Sequence, residues 1–233
     1  MPCTLPASLA DAAVCRGSFH AVLGGEVEDT VFAGFSAALQ KAQAEGRILT
    51  ASLFRYENHL FFYAEGLNRP FTPQGLCPAL DAALLPWPPA LGEAAPRPWA
   101  AMQPYFYHDV PTTAADWQQG RCPQRRRGRI ALLPPDSWCS YMEHHLRIVT
   151  EGLVEGDRWH LICVQEGVLF SYLEEPRTNV NIRHQPGAHS PELDAWIAAD
   201  PESHFARFTP EQKAHPDSGH NFVFLPRIAG TED

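Results

Sequence analysis

The chain has 233 residues and a mass of 25.9 kDa, enough for one large domain or two of roughly 100 to 120 residues with a substantial core. Apolar residues make up 45% and charged residues 19%, so global disorder is excluded. Eighteen Lys and Arg against 27 Asp and Glu give a net charge of −9, which sets the protein's own field against nucleic acid and anionic membranes as partners.

The amino terminus, MPCTLPASLADAAVCRG, has no basic segment ahead of its apolar stretch, and no 18-residue apolar run occurs anywhere. The expectation is a cytoplasmic protein. Its six cysteines, without a CxxC pair, are expected as reduced thiols.

In chain order, Ser18 to Leu23 reads as a strand and Val27 to Ala44 as a helix. The segment ASLFRYENHLFFYAE (51–65) reads as a hairpin turning at Glu57-Asn58. A second helix is expected at Gln74 to Leu85, then a Pro-rich loop from Pro86 to Pro98, then a strand from Met102 to His108. Residues 109 to 127 have no sustained period and read as a linker; the four arginines of 125–129 could form a local anion site but read instead as solvated. The pattern then repeats: strand Arg129 to Leu133, helix Asp136 to Val154, hairpin HLICVQEGVLFSYLE (160–174) turning at Glu166-Gly167, helix from Pro191 capped by Ser190, and strand Asn221 to Leu225.

The two hairpins align as Leu60/Leu169, Phe61/Phe170, Tyr63/Tyr172 and Glu65/Glu174. Each half reads β-α-β-β-α-β, a ferredoxin-like repeat, over 16–108 and 128–228. The expected fold class is α+β: the two repeats stack their bare sheet faces as an intrachain version of a dimeric α+β barrel, which should be monomeric.

The 11 histidines include no pair at i,i+3 or i,i+4 and no HExxH, so no metal or cofactor is expected. GxSxG, GxGxxG and GxxxxGK[ST] are also absent. On the helix DSWCSYMEHHLRIVTEGL, Trp138, Tyr141, His145, Ile148 and Gly152 share one face, beside an apolar stripe of Met142, Leu146, Val149 and Leu153 expected to anchor the sheet. Tyr141 and His145 lie one turn apart and suit an acid/base pair, or else His145 is a half-buried core histidine satisfied by a backbone carbonyl.

RIALLPPDSWCSYMEHHLRIV, GVLFSYLEE and the closing HNFVFLPRI resemble the L-rhamnose mutarotase family, and the first half follows through FRYENHLFFYAE and PRPWAAMQPYFYH. The resemblance implies ferredoxin-like units that interconvert sugar anomers, with Tyr141 and His145 as the catalytic pair. The helix of the first half has Thr30 and Gly34 near the matching positions, so one working half is expected. Glu174 or Asp200 would be the opposite acid/base partner, and Trp138, Trp196 and Phe170 would stack on a monosaccharide. Two other classes remain open: a module that binds a small molecule without turning it over, and a cofactor-dependent oxygenase or haem protein of the same fold.

Overall fold

The computed structural model describes residues 6–179, 182–212 and 221–231. Its elements are β1 (Val14–Val22), α1 (Asp29–Ala44), β2 (Ile48–Tyr56), β3 (His59–Leu67), α2 (Pro78–Ala83), β4 (Ala100–Ala101), β5 (Gln103–Phe106) and α3 (Ala114–Gln118). They continue with β6 (Arg125–Leu132), α4 (Pro135–Glu151), β7 (Val154–Glu155), β8 (Leu161–Gln165), β9 (Val168–Glu175), β10 (Arg183–His184), α5 (Pro191–Ala198), β11 (Val223–Leu225) and β12 (Arg227–Gly230).

The chain forms two compact units: Met1–Met102 with Pro111–Pro123 and Pro226–Asp233, and Gln103–Val110 with Gln124–Leu225. Each holds a five-stranded antiparallel sheet, ordered β12-β2-β3-β1-β4 in the first and β11-β6-β9-β8-β5 in the second. The fold is therefore α+β with an internal repeat. The aligned hairpins occupy equivalent places, because β3 lies between β2 and β1 as β9 lies between β8 and β6. Both turn where the sequence predicts, with Glu57 at φ 52° in one, and Glu166 and Gly167 at φ 51° and 77° in the other.

The closing strands differ from the expectation. Residues 102–108 do not complete the first sheet: only Ala100 and Ala101 pair with β1, and Gln103–Phe106 becomes the edge of the second sheet beside β8. Reciprocally, β11 pairs with β6, and after Pro226 the chain enters the first sheet as β12 beside β2. Pro104 is tolerated because β5 is an edge strand.

The stretch read as a linker is also structured. Thr113 caps α3 by accepting from the Asp116 amide, Trp117 is fully buried, and Arg121 forms a bidentate pair with buried Glu65 at 2.6 and 2.8 Å. Tyr63 donates to the same carboxylate at 2.7 Å and Arg16 donates to Tyr63 at 2.9 Å. Burial pushes the Glu65 carboxyl up, but the Arg121 guanidinium, with Arg16 and the Tyr63 hydroxyl, holds it below the ordinary carboxylate range. The arginines read as solvated start β6 instead: Arg126 faces Glu174 at 3.8 Å and Arg127 pairs with Glu175 at 3.0 Å, so carboxylates of β9 draw the run into the sheet.

Each sheet packs a helix on one face. Phe32, Phe35, Leu39 and Ala42 of α1 are buried in the first unit. Tyr141, His145 and Ile148 of α4 are buried in the second, joined by Ala131, Leu133, Val164, Leu169, Trp196 and Phe205. The stripe expected to anchor α4 is not the buried one: Leu146 is 60% exposed, and Met142 and Val149 are only partly covered. The inward face runs instead through Tyr141, His145 and Ile148. Gly152 ends α4 at φ 69°, the left-handed cap position for which glycine is suited.

Candidate functional site

The Pro134-Pro135 pair starts α4 and Gly152 stops it, so Tyr141 and His145 fall mid-helix on the face that meets the sheet. His145 Nδ1 lies 2.9 Å from the Tyr141 carbonyl oxygen, which fixes the proton on Nδ1 and leaves Nε2 as the acceptor. Aromatic rings enclose the imidazole: Tyr141 at 4.3 Å between centroids, Phe106 and Trp196 each at 4.7 Å, and Tyr105 at 5.6 Å. Burial lowers the His145 pKa to about 4, opposed by the Tyr141 carbonyl and reinforced by His144, His108 and His204. His145 is thus neutral at pH 7, able to take a proton but without one to give from Nε2.

Two further polar groups join the arrangement: Tyr105, which the sequence does not single out, and Arg129, which the sequence shows only as one of a run of four arginines. A bulge between Pro104 and Phe106 lets consecutive residues Tyr105 and Phe106 both pack into the α4 cluster. The Tyr105 hydroxyl is buried there beside the Tyr141 hydroxyl, and burial first, then the charge and hydrogen bond of Tyr141, raise its pKa well above the usual phenol value. Arg129 shares strand parity with Ala131, which packs under α4, so its side chain projects from the same face.

The Arg129 guanidinium stacks on Phe222 at 4.2 Å; the residue keeps some exposure, but its Nε is buried and unbonded. Burial lowers the Arg129 pKa to about 10, while Tyr141, Tyr105 and Glu202 act to keep its charge and Arg177 opposes it. Burial raises Tyr141 to about 12, with Tyr105 and Arg129 pulling the other way. His204 borders the set, its Nε2 3.3 Å from the Ser140 hydroxyl.

The remaining candidates from the sequence lie elsewhere, apart from Trp196, which packs edge-on against Tyr141 at 5.2 Å. Trp138 is 39% exposed on the first turn of α4. Glu174 is buried, but it accepts from Tyr172 at 2.7 Å and has opposite strand parity to Leu169, which packs under α4. Phe170 shares that outward parity and is fully buried. Asp200 is exposed at φ 50° in the turn after α5, and its carbonyl accepts from the Ser203 hydroxyl. Among the described residues, no group of three or more His, Cys, Asp or Glu is arranged to hold a metal ion.

Register in the two sheets shows what the first unit has at matching places. Arg129 pairs with Ser171 of β9, and the matching pair in the first sheet is Phe19 with Phe62. Phe106 pairs with Ile162 as Ala229 pairs with Leu53, which sets Tyr105 against Ile228. The buried positions of α1 set Tyr141 and His145 against Phe35 and Leu39, rather than against Thr30 and Gly34, which are exposed. Phe19, Ile228, Phe35 and Leu39 all belong to the apolar cluster of the first unit. One repeat thus fills these four positions with hydrocarbon, and the other with Arg, Tyr, Tyr and His.

No protein-family model matches the chain, and no curated protein matches it. Among solved structures, it is similar to a protein named a putative monooxygenase from Fusobacterium nucleatum subsp. nucleatum, at TM-score 0.42 and 8% identity over 94% of both chains. A second, of the same name, from Lactobacillus acidophilus gives TM-score 0.40 and 7% identity over 94% of this chain and 96% of that one. An anthrone oxidase-like protein gives 0.38 and 7%, over 94% and 92%.

Proposed function

We propose that the second unit is a proton-transfer site acting on a small molecule, with His145 Nε2 as the general base and Tyr141 as its partner. The supporting observation is a neutral, buried imidazole whose Nδ1 is held by the Tyr141 carbonyl at 2.9 Å, at a position where the other repeat has a leucine. A core with no chemistry to perform is built more cheaply from apolar residues, as the first unit is.

The finer reading is aldose anomer interconversion. His145 would take the anomeric hydroxyl proton while the Tyr141 hydroxyl gives its proton to the ring oxygen, and the bond from that oxygen to the anomeric carbon breaks. After the carbonyl rotates, the two transfers reverse, and His145 and Tyr141 recover their starting states. The Tyr105 hydroxyl and the Arg129 charge favour the transient tyrosinate, as their effect on the Tyr141 pKa requires. A second reading, binding without turnover, is favoured by how closely Phe106, Tyr141 and Trp196 enclose the imidazole.

Saturation-transfer NMR on a panel of aldoses tests the proposal. Exchange above background that falls about 10²- to 10⁴-fold in His145→Ala is expected, with Thr30→Ala in the first unit unchanged. A His145→Ala protein that retains the full rate would remove the base, and ligand binding without exchange would leave the binding module. Substrate-dependent consumption of dioxygen would instead place the chain among oxygenases.

A further inference from the structure

His145 is buried, and four rings stand around its imidazole at centroid separations of 4.3 to 5.6 Å, which leave no room for a ligand ring between any of them and the imidazole. The rings differ in what holds them. Tyr141 is on α4 itself, and Tyr105 and Phe106 are on β5, which its ladder with β8 fixes at Pro104/Cys163 and Phe106/Ile162. Trp196 is on α5, an eight-residue helix outside both sheets that packs on α4. A helix of about two turns has little stability of its own, so α5 is held by its cap and by what it buries. It buries Leu193 and Trp196, leaves Ile197 62% exposed, and ties the Trp196 indole by no hydrogen bond to any described residue. Its ion pairs, Glu192 with Arg147 at 3.8 Å and Asp194 with His189 at 2.9 Å, lie on the surface and hold it weakly.

Both ends of α5 suit pivots. At its start Ser190 is fully buried: its hydroxyl accepts from the Leu193 amide at 3.0 Å and donates to the Glu151 carboxylate at the end of α4, and its own amide donates to His184 Nδ1 at 3.2 Å. Past its other end Asp200 has φ 50°, a left-handed conformation that costs a residue with a Cβ, and the chain returns to the sheet where the Ala206 amide donates to the Leu132 carbonyl at 2.9 Å. We propose that α5 is a lid over His145, which opens by turning about Ser190 and Asp200 and carries Trp196 off the imidazole. The proposal rests on the proton-transfer reading for the lid's purpose, and it gives that site its entrance. Closed, the lid keeps Nε2 dry; open, it admits the small molecule.

The test needs no substrate. Amide hydrogen exchange reads the opening of α5, and acylation by diethyl pyrocarbonate at pH 7, mapped by tandem mass spectrometry, reads access to the His145 ring. In the wild-type protein the amides of 195–200 should exchange at least about tenfold faster than those of β9, because a lid opens without the sheet. Ser190→Ala should raise α5 exchange and His145 acylation by the same factor, about 2- to 30-fold, as the loss of an N-cap implies, and Ser190→Thr should restore both. Acylation of His20, buried in the first unit, should stay as it was. Should Ser190→Ala fail to fold, Trp196→Leu, which keeps the helix and removes the cover, should raise acylation of His145 and not of His20. Amides of α5 as protected as those of β9, His145 acylation unmoved when α5 exchange rises, or His20 acylation rising in step overturns the lid. Lid opening without anomer exchange on any aldose removes the proton-transfer reading and leaves the lid. Exchange that depends on His145 in a protein whose α5 opens only with β9 does the reverse.

Discussion

At the residue scale, His145 makes the sharpest demand. Its pKa in the folded chain is about 4, below the 6.5 of a free imidazole, so its stabilising effect is complete above about pH 6.5 and is lost as pH falls toward 4. The shift corresponds to roughly 3 kcal/mol. Urea unfolding at pH 7 and pH 4 should show a loss of that order attributable to this group, and His145→Gln should flatten the difference; an unchanged pH dependence would show that the imidazole is not buried neutral. Glycine 66 makes a steric demand instead. A Cβ there would stand 2.3 Å from the Arg69 carbonyl oxygen, so Gly66→Ala should lower the thermal midpoint by several degrees, as a backbone clash of that kind displaces a strand. Of the candidate site residues, Tyr141 and His145 are legible because helical spacing alone places them on one face. Arg129 was hidden inside a basic run that reads as solvated; the clue was its parity with Ala131 in RRRGRIAL.

At the element scale, the α3 segment shows why the connection between the repeats could not be read. Nothing local in residues 109–127 announces that Arg121 will meet Glu65, because the pair forms between a loop and a strand 56 positions away. The energetics follow from burial. Removing one member leaves the other charge unpaired in a dry site, at a cost of about 3–5 kcal/mol, whereas replacing both with apolar side chains of similar volume is often close to neutral. Chemical denaturation should find Arg121→Met severely destabilised and Arg121→Met with Glu65→Leu substantially recovered. A double variant as unstable as the single one would mean that Tyr63 and Arg16, which share the network, depend on the carboxylate itself. The matching group on β9, Tyr172 donating to Glu174 with Arg126 nearby, explains why Glu174 belongs to the sheet's own polar interior and not to the α4 site.

At the scale of the whole molecule, the duplicated order of elements was readable from the paired hairpins, but the exchange of closing strands was not. Strand parity and turn chemistry are local; which sheet an edge strand joins is decided by long-range pairing that the sequence of β5 or β12 alone does not specify. Hydrogen exchange tests the exchange directly: deleting residues 226–233 should expose β2 amides such as Arg55, which donates to the Pro226 carbonyl, and Ala51, held by the Thr231 hydroxyl, while β9 keeps its protection. Loss of protection throughout β9 would show that the second unit also needs β12. The asymmetry between the repeats is the feature on which the proposed function rests, since four matched positions are apolar in one and polar in the other. The proposed function assigns His145 the role of a neutral base, and the pH dependence of anomer exchange on an aldose tests this most directly. The rate constant for the free protein should be level from about pH 8 down to pH 5 and decline only as pH approaches 4. A decline centred near pH 6.5, or a profile that His145→Ala leaves unaltered, would contradict it.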